Sequence, residues 1–186
     1  MLLPNPGLRN GSLPQGYLQA DSVAVDLARP EGRLPDHPPE VFLRALTDFS
    51  PRRPELWPNL SPKFYQVHSV GQTEAEVTEG STFLGGIWER THYDWSEPGV
   101  VLIQVEDSNA FAPGSWWRYQ AEPVGSGSRV RFQFDRRPKN FKGQLVSLLL
   151  GLAGKRVFTK SLEETLRRLG AAATPPATAS TSTPRT

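Results

Sequence analysis

The feature that most constrains this chain is a change of hydrophobic period near residue 136. From 64 to 135 apolar side chains recur every second residue, and from 140 to 169 they recur at helical spacing. The alternation is plainest over 128–135, where Val130, Phe132 and Phe134 fall on one side and Arg129, Arg131, Gln133 and Asp135 on the other. Strands are predicted over 64–70, 73–79, 87–95, 100–106, 115–122 and 128–135. Glycine-containing turns separate most of them, at Gly71-Gln72, Gly85-Gly86, Glu97-Pro98-Gly99 and Gly125-Ser126-Gly127. Short strands joined by short turns form an antiparallel meander. In the second segment Phe141, Leu145, Leu148 and Leu152 share one helical stripe, followed by Phe158, Leu162, Leu166 and Leu169. A continuous helix over 140–169 would run roughly 45 Å, with Gly151 and Gly154 allowing a bend.

Upstream, Val23, Val25 and Leu27 alternate in a first strand, 22–28. Asp36-His37-Pro38-Pro39-Glu40 reads as a helix start, with proline in the first turn and an early acid. That helix is expected to run to about Asp48 and to bury Val41, Phe42, Ala45 and Leu46. Prolines 51, 54, 58 and 62 break up the next stretch. Residues 1–20 read as an irregular leader, 21–170 as one domain, and 171–186, built of Ala, Thr, Ser and Pro with one arginine, as a disordered tail. Strands followed by a helix, not alternating with it, mean α+β. Such a sheet must curl around its single long helix, and the space left between them is an apolar cavity.

Composition narrows the function classes. Cysteine is absent, which excludes a disulfide scaffold, a thiolate zinc site and a cysteine nucleophile. Twenty-one basic and 19 acidic residues leave a net charge of +2, too little to favour nucleic acid as a partner. No P-loop, dinucleotide-binding glycine fingerprint, HExxH or GxSxG is present. His37, His68 and His92 lie in different elements, so no metal site or cofactor is expected. The N-terminus has no basic segment leading into a sustained apolar run, and the reading is a soluble, cytoplasmic protein.

Several segments resemble the START-like (SRPBCC) helix-grip superfamily, which includes START lipid-transfer domains, pollen-allergen-type ligand carriers and polyketide cyclase/dehydrase-like proteins. Pro38-Pro39-Glu40-Val41-Phe42, then Leu46-Thr47-Asp48 and Trp57-Pro58-Asn59-Leu60, are similar to that superfamily's opening. Val77-Thr78-Glu79-Gly80-Ser81 and Trp88 to Trp95 are similar to its central strands. The resemblance covers about 20–170 and implies a helix-grip fold: a curved antiparallel sheet wrapped around a long C-terminal helix, enclosing an apolar cavity.

The strand 87–95 carries the candidate chemistry. With Ile87, Glu89, Thr91, Tyr93 and Trp95 inward, a carboxylate and a phenol share one wall, their Cα atoms about 13 Å apart by strand rise, an arrangement suited to general acid–base work in a cyclisation or dehydration. Glu89, Tyr93 and His92 are the catalytic candidates. The competing reading puts Glu89 and Arg90 in ion pairs on the outer face, and alternation does not separate the two, because both faces carry aromatics and charges. Trp57, Trp88, Arg90 and Trp95 are candidate ligand contacts, as are Trp117, Tyr119, Phe132 and Phe134 on the later strands and Leu148 and Leu152 on the helix. Lys139, Lys142, Lys155, Arg156, Lys160, Arg167 and Arg168 make the helix basic, which suits either a solvated face or, at most, transient membrane contact. The leading expectation is a binder or carrier of a hydrophobic small molecule: a lipid, a polyketide or an aromatic compound. The alternatives are a cofactor-free cyclase, aromatase or dehydratase, and a protein-interaction module whose partners the sequence does not name.

Overall fold

The computed structural model describes residues 21–26, 38–149, 160, 161, 163–165, 167 and 168. The expected leader, the expected tail and Leu152 lie outside the described residues. Seven strands form a single sheet: β1 (Asp21–Asp26), β2 (Gln66–Val70), β3 (Glu74–Ser81), β4 (Ile87–Asp94), β5 (Val100–Ser108), β6 (Trp116–Val124) and β7 (Gly127–Asp135). Their spatial order is β1-β7-β6-β5-β4-β3-β2, antiparallel throughout. The predicted meander is therefore β2 to β7, and β1 adds itself to the far side of β7. Bulges between Val67 and Ser69 and between Arg90 and Thr91 interrupt the ladders. An extra residue on one strand bends it and increases its twist, which curves the sheet.

Helix α1 (Pro39–Leu46) lies against β5, β6 and β7. Proline at the first helical position and Glu40 in the first turn suit a helix N-terminus. It stops at Leu46, two residues short of the expected end. The Thr47 hydroxyl donates to Leu43 O at 2.9 Å, and the Asp48 carboxylate accepts from the Ser50 N–H at 2.9 Å. These short polar side chains offer the backbone an alternative to another helical turn. A single turn, α2 (Arg53–Leu56), follows. Phe42 and Leu46 of α1, Phe49, and Leu56 and Trp57 at the end of α2 then pack onto Val77, Tyr93, Val101, Ile103 and Tyr119 of the sheet.

Helix α3 (141–149) begins after Asn140, whose side-chain oxygen accepts from the Gly143 N–H at 3.0 Å, an N-cap contact. Its inward residues include Gly143 and Val146, whereas Phe141 is 78% and Leu148 59% exposed. Phe141 and Leu148 of the expected stripe are thus turned away from the sheet, while Leu145 is half-buried. The reason is steric. Gly143 lies so close to the Ala110 carbonyl that a Cβ there would collide with it, so the helix seats on its small face. Residues 160, 161, 163–165, 167 and 168 are also helical, and Arg168 ties them to α2 through the Glu55 carbonyl at 2.6 Å.

Candidate functional site

A cavity of about 400 Å³ lies between the concave face of the sheet and the helices. Strand register explains its walls. Tyr93, Ile103, Trp117 and Phe134 are successive cross-strand partners and form one inward row over four strands. Tyr119 and Phe132 pair in the next row, with ring centroids 4.8 Å apart. The helical side contributes Leu46, Arg53, Trp57, Val146 and Ser161.

The polar end of the cavity is built on β3 and β4. Glu79 and Glu89 are register partners, both buried, and both line the cavity. Like charges directly opposite each other destabilise a sheet, so each carboxylate needs a cation. Arg53 pairs with Glu79 and Arg136 with Glu89. Arg53 is only 2% exposed, and every nitrogen of its guanidinium donates a hydrogen bond. Nε donates to Glu79, one terminal nitrogen donates to the carbonyls of Leu46 (2.8 Å) and Asp48 (3.1 Å), and the other donates to the Tyr93 hydroxyl (3.0 Å). Tyr93 in turn donates to Glu79 at 2.7 Å, closing a ring of three side chains. Arg136, from just beyond β7, grips both oxygens of Glu89 with its two terminal nitrogens. Its guanidinium carbon stands 3.8 Å from the Phe111 ring centroid and 4.6 Å from that of Trp117.

The titration behaviour follows from this wiring. Burial, then the neighbouring Glu79 charge, pushes the Tyr93 phenol well above its ordinary range despite the opposing pull of Arg53. Burial alone would lower the Arg53 pKa, but Glu79 and Tyr93 outweigh it and hold the guanidinium charged. Tyr119 is raised by burial. The site therefore holds neutral phenols and ion-paired carboxylates.

No protein-family profile matches the chain, and no curated protein matches its sequence. Solved structures do match its shape. A protein of Thermus thermophilus superposes with a TM-score of 0.63 at 15% identity, covering 83% of this chain and 100% of that one. A START superfamily protein from Mycobacterium smegmatis gives 0.62 at 16%, covering 81% and 98%. The Zhui aromatase/cyclase from a Streptomyces species gives 0.57 at 11%, covering 85% and 96%. This chain has the START-like helix-grip fold.

Within the START-like fold the candidates from the sequence fall into two groups. Glu89, Tyr93, Trp57, Trp117, Tyr119, Phe132 and Phe134 come together around the cavity. Trp88, Arg90, His92, Trp95 and Leu148 are not among its lining residues. Arg90 instead pairs with Glu76 and, at 3.5 Å, with Glu106 on the opposite face of the sheet from Glu89. His92 stands 3.9 Å from Glu74. Trp95 packs on Phe49 at 5.8 Å and donates to the Gln72 carbonyl at 3.1 Å. The Trp88 backbone N–H is held by Asn109 at 3.1 Å. Period two explains the division: once Glu89 and Tyr93 point inward, Trp88, Arg90 and His92 point out. Sequence reasoning missed Arg53 and Arg136, which lie 26 and 47 residues from their carboxylates. The one available signal was Glu79 and Glu89 on facing strands, each in need of a counter-ion.

Several basic residues of the C-terminal segment are engaged within the fold. Lys142 donates to the Gly86 carbonyl at 3.0 Å, Lys139 lies 3.4 Å from Asp107, and Arg167 and Arg168 bind Glu164. No helix among the described residues is long and apolar enough to cross a membrane. Nor does any group of three His, Asp or Glu among them converge in a way that would hold a metal ion.

Proposed function

We propose that the protein binds a hydrophobic small molecule in the cavity between sheet and helices and carries or senses it without altering it. The observation that supports this is the cavity itself. Its volume of about 400 Å³ suits a small organic ligand, and its walls combine aromatic rings with a few convergent polar groups. Neighbours of the same fold are named a START superfamily protein and an aromatase/cyclase, which supports a small-molecule ligand for this cavity. For this chain, binding is favoured over proton-transfer chemistry because Glu89 and Glu79 are each held by an arginine. A general base needs a free carboxylate poised near its operating pH. Absence of cysteine is compatible with work in the reducing cytoplasm.

Titration with the neutral probe N-phenyl-1-naphthylamine tests the reading. Trp57 and Trp117 line the cavity, so a bound probe should quench tryptophan emission in a saturable, one-site manner. Val146→Trp, which fills the cavity from α3, should abolish that quenching. Unchanged affinity in the variant would place the probe elsewhere and remove the support.

A further inference from the structure

The four charges at the polar end of the cavity sum to zero, and they restrict what a ligand brings with it. We propose that the cavity selects an uncharged ligand whose polar end carries a hydroxyl or amide, seated against the Arg136–Glu89 pair, and disfavours a carboxylate of the same shape. This rests on the cavity being the ligand site.

Three observations carry the inference. First, Glu79 and Glu89 are neighbours across β3 and β4, and each already holds its cation. A carboxylate entering beside them would lose its water and find no uncommitted positive charge in return. Second, Arg53 is largely committed, since each guanidinium nitrogen already donates to Glu79, Tyr93 or the end of α1. Arg136 differs. Of the five N–H donors of a guanidinium, two go to Glu89, and among the described residues the others have no hydrogen-bond partner. Third, among the described residues Glu89 accepts only from Arg136, so lone pairs remain on its oxygens. One spare donor beside one spare acceptor fits a group that accepts and donates at once. A hydroxyl or a primary amide does this, and an ionised carboxylate does only half. Trp117, on which Arg136 stacks, continues into the Phe134 row and provides a flat wall for the rest of the molecule.

The test compares three arenes of matched shape, 2-naphthol, 2-naphthamide and 2-naphthoate, by isothermal titration calorimetry at about pH 7, where only the last is charged. The two neutral compounds should bind at least about tenfold more tightly than the carboxylate, a modest fraction of the penalty for burying an uncompensated ion. Glu89→Gln, which leaves Arg136 without its counter-ion, should reverse the order in favour of 2-naphthoate. Should that variant fail to fold, the comparison among the three ligands on the unaltered protein still decides. Equal or tighter binding of 2-naphthoate, or a preference that Glu89→Gln leaves untouched, overturns the selectivity while the cavity remains the ligand site. The same holds if all three arenes fail where N-phenyl-1-naphthylamine still binds. Failure of the probe as well overturns both readings.

Discussion

Arg53 connects three elements through one guanidinium: the C-terminal carbonyls of α1, Glu79 on β3 and Tyr93 on β4. Arg53→Met should therefore cost roughly 3–5 kcal/mol, because it leaves Glu79 charged and unpaired in the interior. Urea denaturation followed by tryptophan fluorescence measures it. Adding Glu79→Gln to Arg53→Met should recover part of the loss, since the two positions are coupled; full additivity would mean that the pair does not interact. The tyrosines give a pH signature at the same scale. Burial and the nearby Glu79 raise Tyr65, Tyr93 and Tyr119, with Tyr65 pushed up to about 12 even though Arg53 opposes the shift. The folded state thus keeps protons that the unfolded chain sheds near the ordinary phenol value. Stability is then fully present below about pH 10 and falls as pH rises through the raised values. Thermal melts should show a lower Tm at about pH 11 than at about pH 9, and the absorbance of these three tyrosinates should appear together with unfolding. Three phenols ionising reversibly near pH 10 in an intact fold would contradict this.

Helix α3 shows where element-level reasoning from sequence succeeds and where it stops. The existence of the helix was legible in its period, but its rotation was not. Leucine and phenylalanine predicted the buried stripe, whereas a glycine decided it, because only Gly143 fits beneath the Ala110 carbonyl. Gly143→Ala makes the point measurable. Helix propensity alone predicts a gain of about 1 kcal/mol, yet the added methyl would meet backbone and should cost about 1–3 kcal/mol instead. A variant more stable than the parent in chemical denaturation would show that α3 shifts freely. Strand β4 presents the same limit. Its start and length were readable, but Ile87, Glu89, Thr91 and Tyr93 compete with Trp88, Arg90, His92 and Asp94 for the inside, and both sets mix apolar with charged groups. The choice is made by arginines that arrive from α2 and from beyond β7. No local periodicity reports a partner 26 or 47 residues away. On β7, where one face is apolar and the other polar, the phase was legible and places Phe132 and Phe134 on the cavity.

For the molecule as a whole, the order of elements predicted a sheet curled around one long C-terminal helix, and the space between them follows from the curvature. What element order left open was the electrical character of that space. Across the polar end, the charges run positive, negative, negative, positive: Arg53, Glu79, Glu89, Arg136. Such a row is close to a linear quadrupole, with no net monopole, and its field dies away within a few ångströms instead of reaching into solvent. With a protein net charge of +2 besides, there is little to guide an approaching molecule from afar. Capture should then be governed by diffusion and by the opening at the cavity mouth. Stopped-flow association rates for a charged ligand such as 2-naphthoate should stay constant within about twofold between about 0.01 M and about 1 M salt, while the Debye length shrinks from about 30 Å to about 3 Å. A steep fall with salt would reveal a steering field that this arrangement of charges does not supply.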